Sequence, residues 1–100
     1  MQDLRDNVVV ITGATSGFGR ATAEVFYKHG ARVLAAGRND NRLKKVKEEI
    51  GDIDYFKIDV TKPNDWQKLY NHVESRYGRI DILVNNAGAV SYTHLTLPTN

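Results

Sequence analysis

The stretch TGATSGFG at residues 12–19 decides how the rest of this 100-residue chain is interpreted. It follows the apolar run at residues 8–11 and opens a segment with helical periodicity, which indicates a strand, a glycine-rich turn and a helix. Such a turn presents backbone N–H groups and the positive end of the helix dipole to an anion. We expect Gly13 to allow the tight turn, Gly17 to let the backbone approach a diphosphate, and Gly19 to let helix and strand pack closely. The stretch therefore predicts a diphosphate site.

Strand and helix signals alternate along the chain on both sides of this turn. The strands are predicted at residues 8–11, 32–36, 54–59 and 82–84. The helices are predicted at residues 18–29, 43–50 and 63–77, ending at Gly30, Gly51 and Gly78. The order βαβαβαβ with right-handed crossovers predicts an α/β fold, a parallel sheet in strand order 3-2-1-4, half of a doubly wound domain.

The helical segments also predict which side chains are buried. The first helix is expected to bury the apolar face Phe18, Thr22, Val25 and Phe26. The third is expected to bury the stripe Trp66, Leu69, Tyr70, Val73 and Tyr77, which we interpret as core and not as a cofactor contact. The basic residues of the second helix are expected to be solvated and partly paired with Glu48 and Glu49.

The spacing T-G-x-x-x-G-x-G resembles the short-chain dehydrogenase/reductase (SDR) family in its ordinary form. Two further motifs agree: Asp59-Val60 at the third strand and Asn-Asn-Ala-Gly at residues 85–88 after the fourth. The alternative is a glycine loop in an α/β domain that binds no nucleotide, and three motifs in order weigh against it. The resemblance implies that residues 1–89 are part of an NAD(P)-binding Rossmann domain, and that the whole protein is an oxidoreductase and a homo-oligomer.

The resemblance also implies which residues bind the dinucleotide. The glycine loop matches the family's phosphate loop, with Phe18 where the family usually has Ile. Asp59 matches the acid that meets the adenine amino group, Val60 packs on the ring, and the residues after Asn85 run beside the adenosine ribose, while Asn85 braces the sheet. The expected cofactor-binding residues are Gly13, Ser16, Gly17, Phe18, Gly19, Arg38, Asp59, Val60, Asn86, Ala87 and Gly88.

The end of the second strand predicts the choice between NAD and NADP. Binding of NAD usually needs a carboxylate there to accept hydrogen bonds from the ribose hydroxyls. This chain has Gly37 at that position, followed by Arg38 and Asn39. A guanidinium can pair with a 2′-phosphate that a carboxylate would repel, so NADP is favoured over NAD. The alternative is that Arg38 stacks on the adenine or lies in solvent.

The residues that carry chemistry in the family are not found here. In the family, catalysis depends on a Tyr-x-x-x-Lys pair. The tyrosine is the general acid or base, and the lysine lowers the pKa of the tyrosine. No tyrosine of this chain has a lysine four residues later; the five are Tyr27, Tyr55, Tyr70, Tyr77 and Tyr92. We therefore expect hydride transfer between NADP(H) and a carbonyl or alcohol in the whole protein and no activity in this chain. The alternatives are a non-catalytic dinucleotide-binding module or sensor, and an epimerase or dehydratase of the same family.

Residues 90–100 do not resemble a continuation of the family. They resemble a translated transposon-end sequencing adapter, whose reading GTC TCT TAT ACA CAT CTG ACG CTG CCG ACG encodes the ten residues from Val90 to Thr99. The alternative is a genuine polar loop. We expect a non-native tail joined to a truncated reading frame at about Ala89.

Composition excludes several other classes of protein. No apolar run approaches a transmembrane helix and no signal peptide is visible, so we expect a cytoplasmic location. The net charge of +2 predicts neither a nucleic-acid nor a membrane partner. There is no cysteine, and neither His29 nor His72 has the partner spacing of a metal ligand, so no metal is expected.

Overall fold

A computed structural model describes residues 4–86, in which strands and helices alternate along the chain. The elements are β1 (Val8–Thr12), α1 (Gly17–Lys28), β2 (Arg32–Gly37), α2 (Asp40–Ile50), β3 (Asp54–Lys57), α3 (Pro63–Tyr77) and β4 (Ile82–Asn85). The strands form one sheet in the order β3-β2-β1-β4, and every neighbouring pair is parallel. The predicted α/β fold and its strand order are therefore confirmed.

The β1 strand lies in the middle of the sheet and is buried along its whole length. Its side chains alternate between the two faces, because successive residues of a strand point in opposite directions. Val9 and Ile11 pack with residues of α1 and α2, and Val8 and Val10 pack with residues of α3. A strand covered on both faces needs apolar residues at every position, which explains the continuous run at residues 8–11.

The ends of the helices follow local signals. Asn39 caps α2 with its Oδ1 atom, which accepts a hydrogen bond from the Arg42 N–H at 3.0 Å. Pro63 opens α3, and Gly78 follows its last residue with a left-handed φ of 82°. The predicted stripe of α3 is confirmed, with Tyr77 only half-buried. No helix among residues 4–86 combines the length and the apolarity of a membrane-spanning segment.

The buried face of α1 differs from the prediction. Phe18 is 71% exposed and Val25 is 43% exposed, whereas Gly19 and Ala23 are buried. Small side chains on the inner face let the helix axis come close to the sheet, so the large apolar residues at positions 18 and 25 lie on the outside. Phe26 is the predicted residue that does pack against the core. The spacing of apolar residues predicts which face of a helix is hydrophobic. It does not predict which face has side chains small enough for the helix to pack closely against the sheet.

Two further details also differ. The β3 strand ends at Lys57 and not at Asp59, because the Asp59 carboxylate accepts hydrogen bonds from Thr61 and turns the chain away. In α2, Glu49 pairs with Arg20 of α1 at 3.1 Å, and not with a lysine of its own helix as predicted.

Candidate functional site

The glycine loop joins the carboxyl end of β1 to the amino end of α1. Gly13 has a φ of 63°, in the left-handed region that favours glycine, so this residue makes the tight turn. A Cβ on Gly19 would overlap the backbone carbonyl of Gly13, so packing of the helix against the loop requires this glycine. A Cβ on Gly17 would meet no atom within 4 Å among the described residues. Packing inside residues 4–86 therefore does not explain Gly17.

Ser16 caps the helix that follows the loop. Its hydroxyl accepts a hydrogen bond from the Gly19 N–H at 3.2 Å and donates to the Gly13 carbonyl at 2.9 Å. The Ser16 carbonyl accepts from the Arg20 N–H at 2.8 Å. The N–H groups of Gly17 and Phe18 occupy the first two helical positions, which have no intrahelical acceptor. The open end of α1 is thus a place where an anion can accept hydrogen bonds.

An open groove of about 960 Å³ runs along the carboxyl ends of β1, β2 and β3. It brings together residues from three separate turns, among them Gly13, Arg38, Asp59 and Val60. Thr15 and Asn39, which are not among the predicted site residues, line it as well. In a doubly wound sheet, ligands bind at this edge.

At the end of β2, Arg38 lines the groove. Gly37 is buried and Arg38 is exposed. A Cβ on Gly37 would lie 3.5 Å from Leu43 Cδ2 and 3.8 Å from Thr15 Cγ2, both ordinary contacts, so the fold does not forbid a side chain there. Asp40 and Arg42 of α2 line the same end of the groove.

Asp59 lies in a tight turn where β3 has ended. Its Oδ1 atom accepts hydrogen bonds from the Thr61 hydroxyl at 2.6 Å and from the Thr61 N–H at 2.9 Å. These bonds, the hydroxyl first, hold the pKa of the Asp59 carboxyl below its ordinary value of 3.8, and the charges of Lys62 and Arg38 add to this. The group is therefore an ionised hydrogen-bond acceptor at neutral pH.

The backbone around Asp59 and Val60 is held by α3. The Asp59 N–H donates to Asp65 Oδ2 at 2.8 Å, and buried Trp66 donates its Nε1 proton to the Val60 carbonyl at 2.9 Å. Sequence reasoning missed Thr61, Asp65 and Trp66 as supports of this turn. The spacing Asp-x-Thr, typical of an Asx turn, is the signal that could have identified Thr61.

Two neighbouring asparagines at the end of β4 contact β1 and the glycine loop. Asn85 Oδ1 accepts from the buried Thr12 hydroxyl at 2.8 Å, which braces the sheet as expected. Asn86 Nδ2 donates to Ser16 Oγ at 2.9 Å and to the Gly13 carbonyl at 3.3 Å. Ala87, Gly88 and the expected tail at residues 90–100 lie outside the described residues.

The tyrosines within residues 4–86 lie away from the groove, since none of them lines it. Tyr77 donates its hydroxyl proton to Asp54 Oδ2 at 3.1 Å, at the amino end of β3. Tyr70 is buried in the core beneath α3.

Comparisons with known proteins agree with this geometry. The family model described as short chain dehydrogenase matches residues 7–98, a span that extends into the segment beginning at Val90. An uncharacterised oxidoreductase of Staphylococcus saprophyticus is 38% identical over 97 residues, which are 95% of this chain and 39% of that protein. The 11-beta-hydroxysteroid dehydrogenase A of Sesamum indicum is 39% identical over 99 residues, which are 94% of this chain and 28% of that protein. The chain thus spans well under half the length of these curated relatives.

Solved structures show the same relationship. The crystal structure of a short chain dehydrogenase from Bacillus anthracis superposes with a TM-score of 0.80 at 40% identity, covering 83% of this chain and 35% of that one. A protein from Shigella flexneri, described as a short chain dehydrogenase and crystallised with NADP, gives a TM-score of 0.77 at 32% identity, covering 91% of this chain and 41% of that one. With the fold, the loop and these matches in agreement, the chain belongs to the short-chain dehydrogenase/reductase family of oxidoreductases.

Proposed function

We propose that this chain binds NADP(H), and that the whole protein transfers hydride between NADP(H) and a carbonyl or alcohol substrate. The observation that carries the proposal is a single groove that joins the glycine loop to Arg38, where an NAD site usually has a carboxylate. The NADP bound to the Shigella flexneri relative adds support.

The pyrophosphate fits the start of α1. The N–H groups of Gly17 and Phe18 lie at the positive end of the helix dipole, where a diphosphate is stabilised. The space around Gly17 supports this assignment, because a Cβ there would meet no other described residue. Glycine at that position is then explained by the approach of the ligand.

The adenosine fits the carboxyl ends of β2 and β3. The ionised Asp59 carboxylate accepts the adenine amino protons, and the half-buried Val60 side chain packs on the ring. The Arg38 guanidinium pairs with the 2′-phosphate through charge-assisted hydrogen bonds. The main chain of Asn86, Ala87 and Gly88 completes the site beside the ribose.

NADPH supplies a hydride when it is bound, and reduction of a carbonyl also requires a proton donor. No tyrosine here has the lysine partner that the family uses, so we propose that this chain binds the dinucleotide without reducing a carbonyl. In our proposal residues 1–89 are the part of the NAD(P)-binding domain that binds the dinucleotide, and residues 90–100 are a tail that is not native to the protein. For the whole protein we propose a homo-oligomer in the cytoplasm.

The experiment is a titration of the chain with NADPH and with NADH, followed by nicotinamide fluorescence. We expect Arg38→Ala to weaken NADPH binding by about 10- to 150-fold, which corresponds to a lost charge-assisted bond of about 1.5–3 kcal/mol. NADH binding should change little, because NADH has no 2′-phosphate. The matched control is Lys44→Ala, which removes the same charge from the exposed face of α2.

A converse substitution tests the same assignment. Gly37→Asp combined with Arg38→Ile should move the preference toward NADH, and a Cβ at position 37 would make only ordinary contacts. Equal losses for both dinucleotides, or no loss with Arg38→Ala, would show that Arg38 does not bind the 2′-phosphate.

A further inference from the structure

The Ser16 hydroxyl is hydrogen-bonded at every site that it has. A hydroxyl offers one proton and two acceptor positions. The Ser16 proton is donated to the Gly13 carbonyl at 2.9 Å, and the oxygen accepts from the Gly19 N–H at 3.2 Å and from Asn86 Nδ2 at 2.9 Å. While these three bonds hold, the hydroxyl has no site left for a phosphate.

The orientation of the Asn86 amide is determined by its second partner. Nδ2 lies 3.3 Å from the Gly13 carbonyl oxygen, and a carbonyl oxygen can only accept, so the NH₂ group must face it. The NH₂ group therefore donates to two acceptors within the protein. Ser16 and Asn86 are 70 positions apart in the sequence, so the hydrogen bond between them joins the end of β4 to the glycine loop.

We propose that Ser16 and Asn86 form a loop clip, with Gly13 and Gly19 as its other members, and that the Ser16 hydroxyl and the Asn86 amide control dinucleotide affinity without touching the dinucleotide themselves. Ser16 and Asn86 are positioning residues, which act by holding the Gly17 and Phe18 N–H groups in a fixed direction. A preorganised set of donors binds an anion more tightly, because less ordering accompanies binding. The proposal rests on the proposed function, since it concerns the same site.

The neighbouring residues Asn85 and Asn86 allow the same substitution to be made at a control position and at a test position. Asn86→Asp keeps the size but replaces the donor that faces the Gly13 carbonyl, so we expect NADPH to bind roughly 3- to 15-fold more weakly. Asn85→Asp adds the same charge one residue away but keeps the acceptor that Thr12 uses. This control should change NADPH affinity by less than about twofold. Equal losses from both variants would overturn the proposal.

A double-mutant cycle separates a clip from two independent contacts. If Ser16 and Asn86 act as one unit, Ser16→Ala combined with Asn86→Asp should weaken NADPH no more than the stronger single substitution does. Losses that multiply would mean that each side chain binds the dinucleotide by itself, and the proposal would be wrong.

Adenosine 2′-monophosphate is the probe that excludes general unfolding. It lacks the pyrophosphate, so its affinity should be unchanged by Ser16→Ala and Asn86→Asp, whereas a loss equal to that of NADPH would contradict a local effect. A readout without ligand is hydrogen exchange of the Gly19 amide, which both substitutions should accelerate. If the unaltered chain binds no NADPH, the proposed function fails, while unchanged Gly19 exchange in the variants would reject the clip.

Discussion

At the scale of single residues, Gly17 and Gly19 are required for different reasons although they are two positions apart. Gly19 has no room for a Cβ, because the atom would overlap the Gly13 carbonyl and would lie 2.8 Å from Asn86 Nδ2. A Cβ on Gly17 would meet no atom within 4 Å among the described residues. One glycine is therefore needed for folding, and we propose that the other is needed for binding.

Alanine at each position should separate the two requirements. Gly19→Ala should lower the free energy of unfolding by about 1–3 kcal/mol, as overpacking usually does. Gly17→Ala should leave stability unchanged or raise it by about 0.4–1 kcal/mol, because alanine restricts the unfolded chain. It should nevertheless weaken NADPH binding. Urea unfolding and a fluorescence titration measure the two effects, and unimpaired NADPH binding by Gly17→Ala would contradict the assignment of the pyrophosphate.

At the scale of elements, the buried side of α3 carries polar groups both with and without a hydrogen-bond partner. Near its carboxyl end, His72 and Tyr77 both hydrogen-bond to Asp54 Oδ2, at 2.8 and 3.1 Å, which ties the helix to the start of β3. Near its middle, the Tyr70 hydroxyl is buried and has no hydrogen-bond partner within residues 4–86. Burial raises the pKa of Tyr70 above its ordinary value of 10.0.

Tyr70→Phe should therefore stabilise the chain by about 1 kcal/mol at neutral pH, since it removes a buried polar group that lacks a partner. The pKa of Tyr70 is higher in the folded state, so its protonation favours folding below pH 10 and this advantage is lost as pH rises through the folded value. The variant should lose less stability than the unaltered chain above pH 10. Urea unfolding across that range is the measurement, and a destabilised variant would mean that the hydroxyl has a partner beyond residue 86.

At the scale of the whole molecule, the two neighbours of β1 differ from each other. The β2 strand lies between β1 and β3 and is buried from its second residue on, whereas β4 has one neighbour in the described sheet. The apolar side chains Ile82, Leu83 and Val84 are only half-buried. An unpaired strand edge with apolar faces is a surface on which chains associate.

We expect the chain to self-associate as its concentration rises, which sedimentation would measure. NADPH should raise the melting temperature, because a ligand of the folded state adds about 2.7 kcal/mol at a hundred times its Kd. A chain that stays monomeric at every concentration would contradict association through the edge of β4. A melting temperature that NADPH does not change would contradict the proposed dinucleotide site.

Much of the architecture could be predicted because it depends on local signals. Continuous apolar runs, helical spacing and glycine stops are each contained within a dozen residues, so the elements and their order followed from them. The strand order then followed from the doubly wound fold that this alternation predicts. The sequence also predicted that the glycine loop, Arg38 and Asp59 lie near one another, because each follows a strand and parallel strands end at one edge of the sheet.

Other features were decided only by the tertiary structure, because they depend on distances between elements that are far apart in the sequence. The sequence alone determined the strand–loop–helix unit and the class of fold, since these depend on residues next to one another. It could not show that α1 buries Gly19 and Ala23 instead of Phe18 and Val25, because that depends on how closely the helix approaches the sheet. Nor could it show that Asn86 would use its amide protons on the loop, because that bond exists only once β4 lies beside β1.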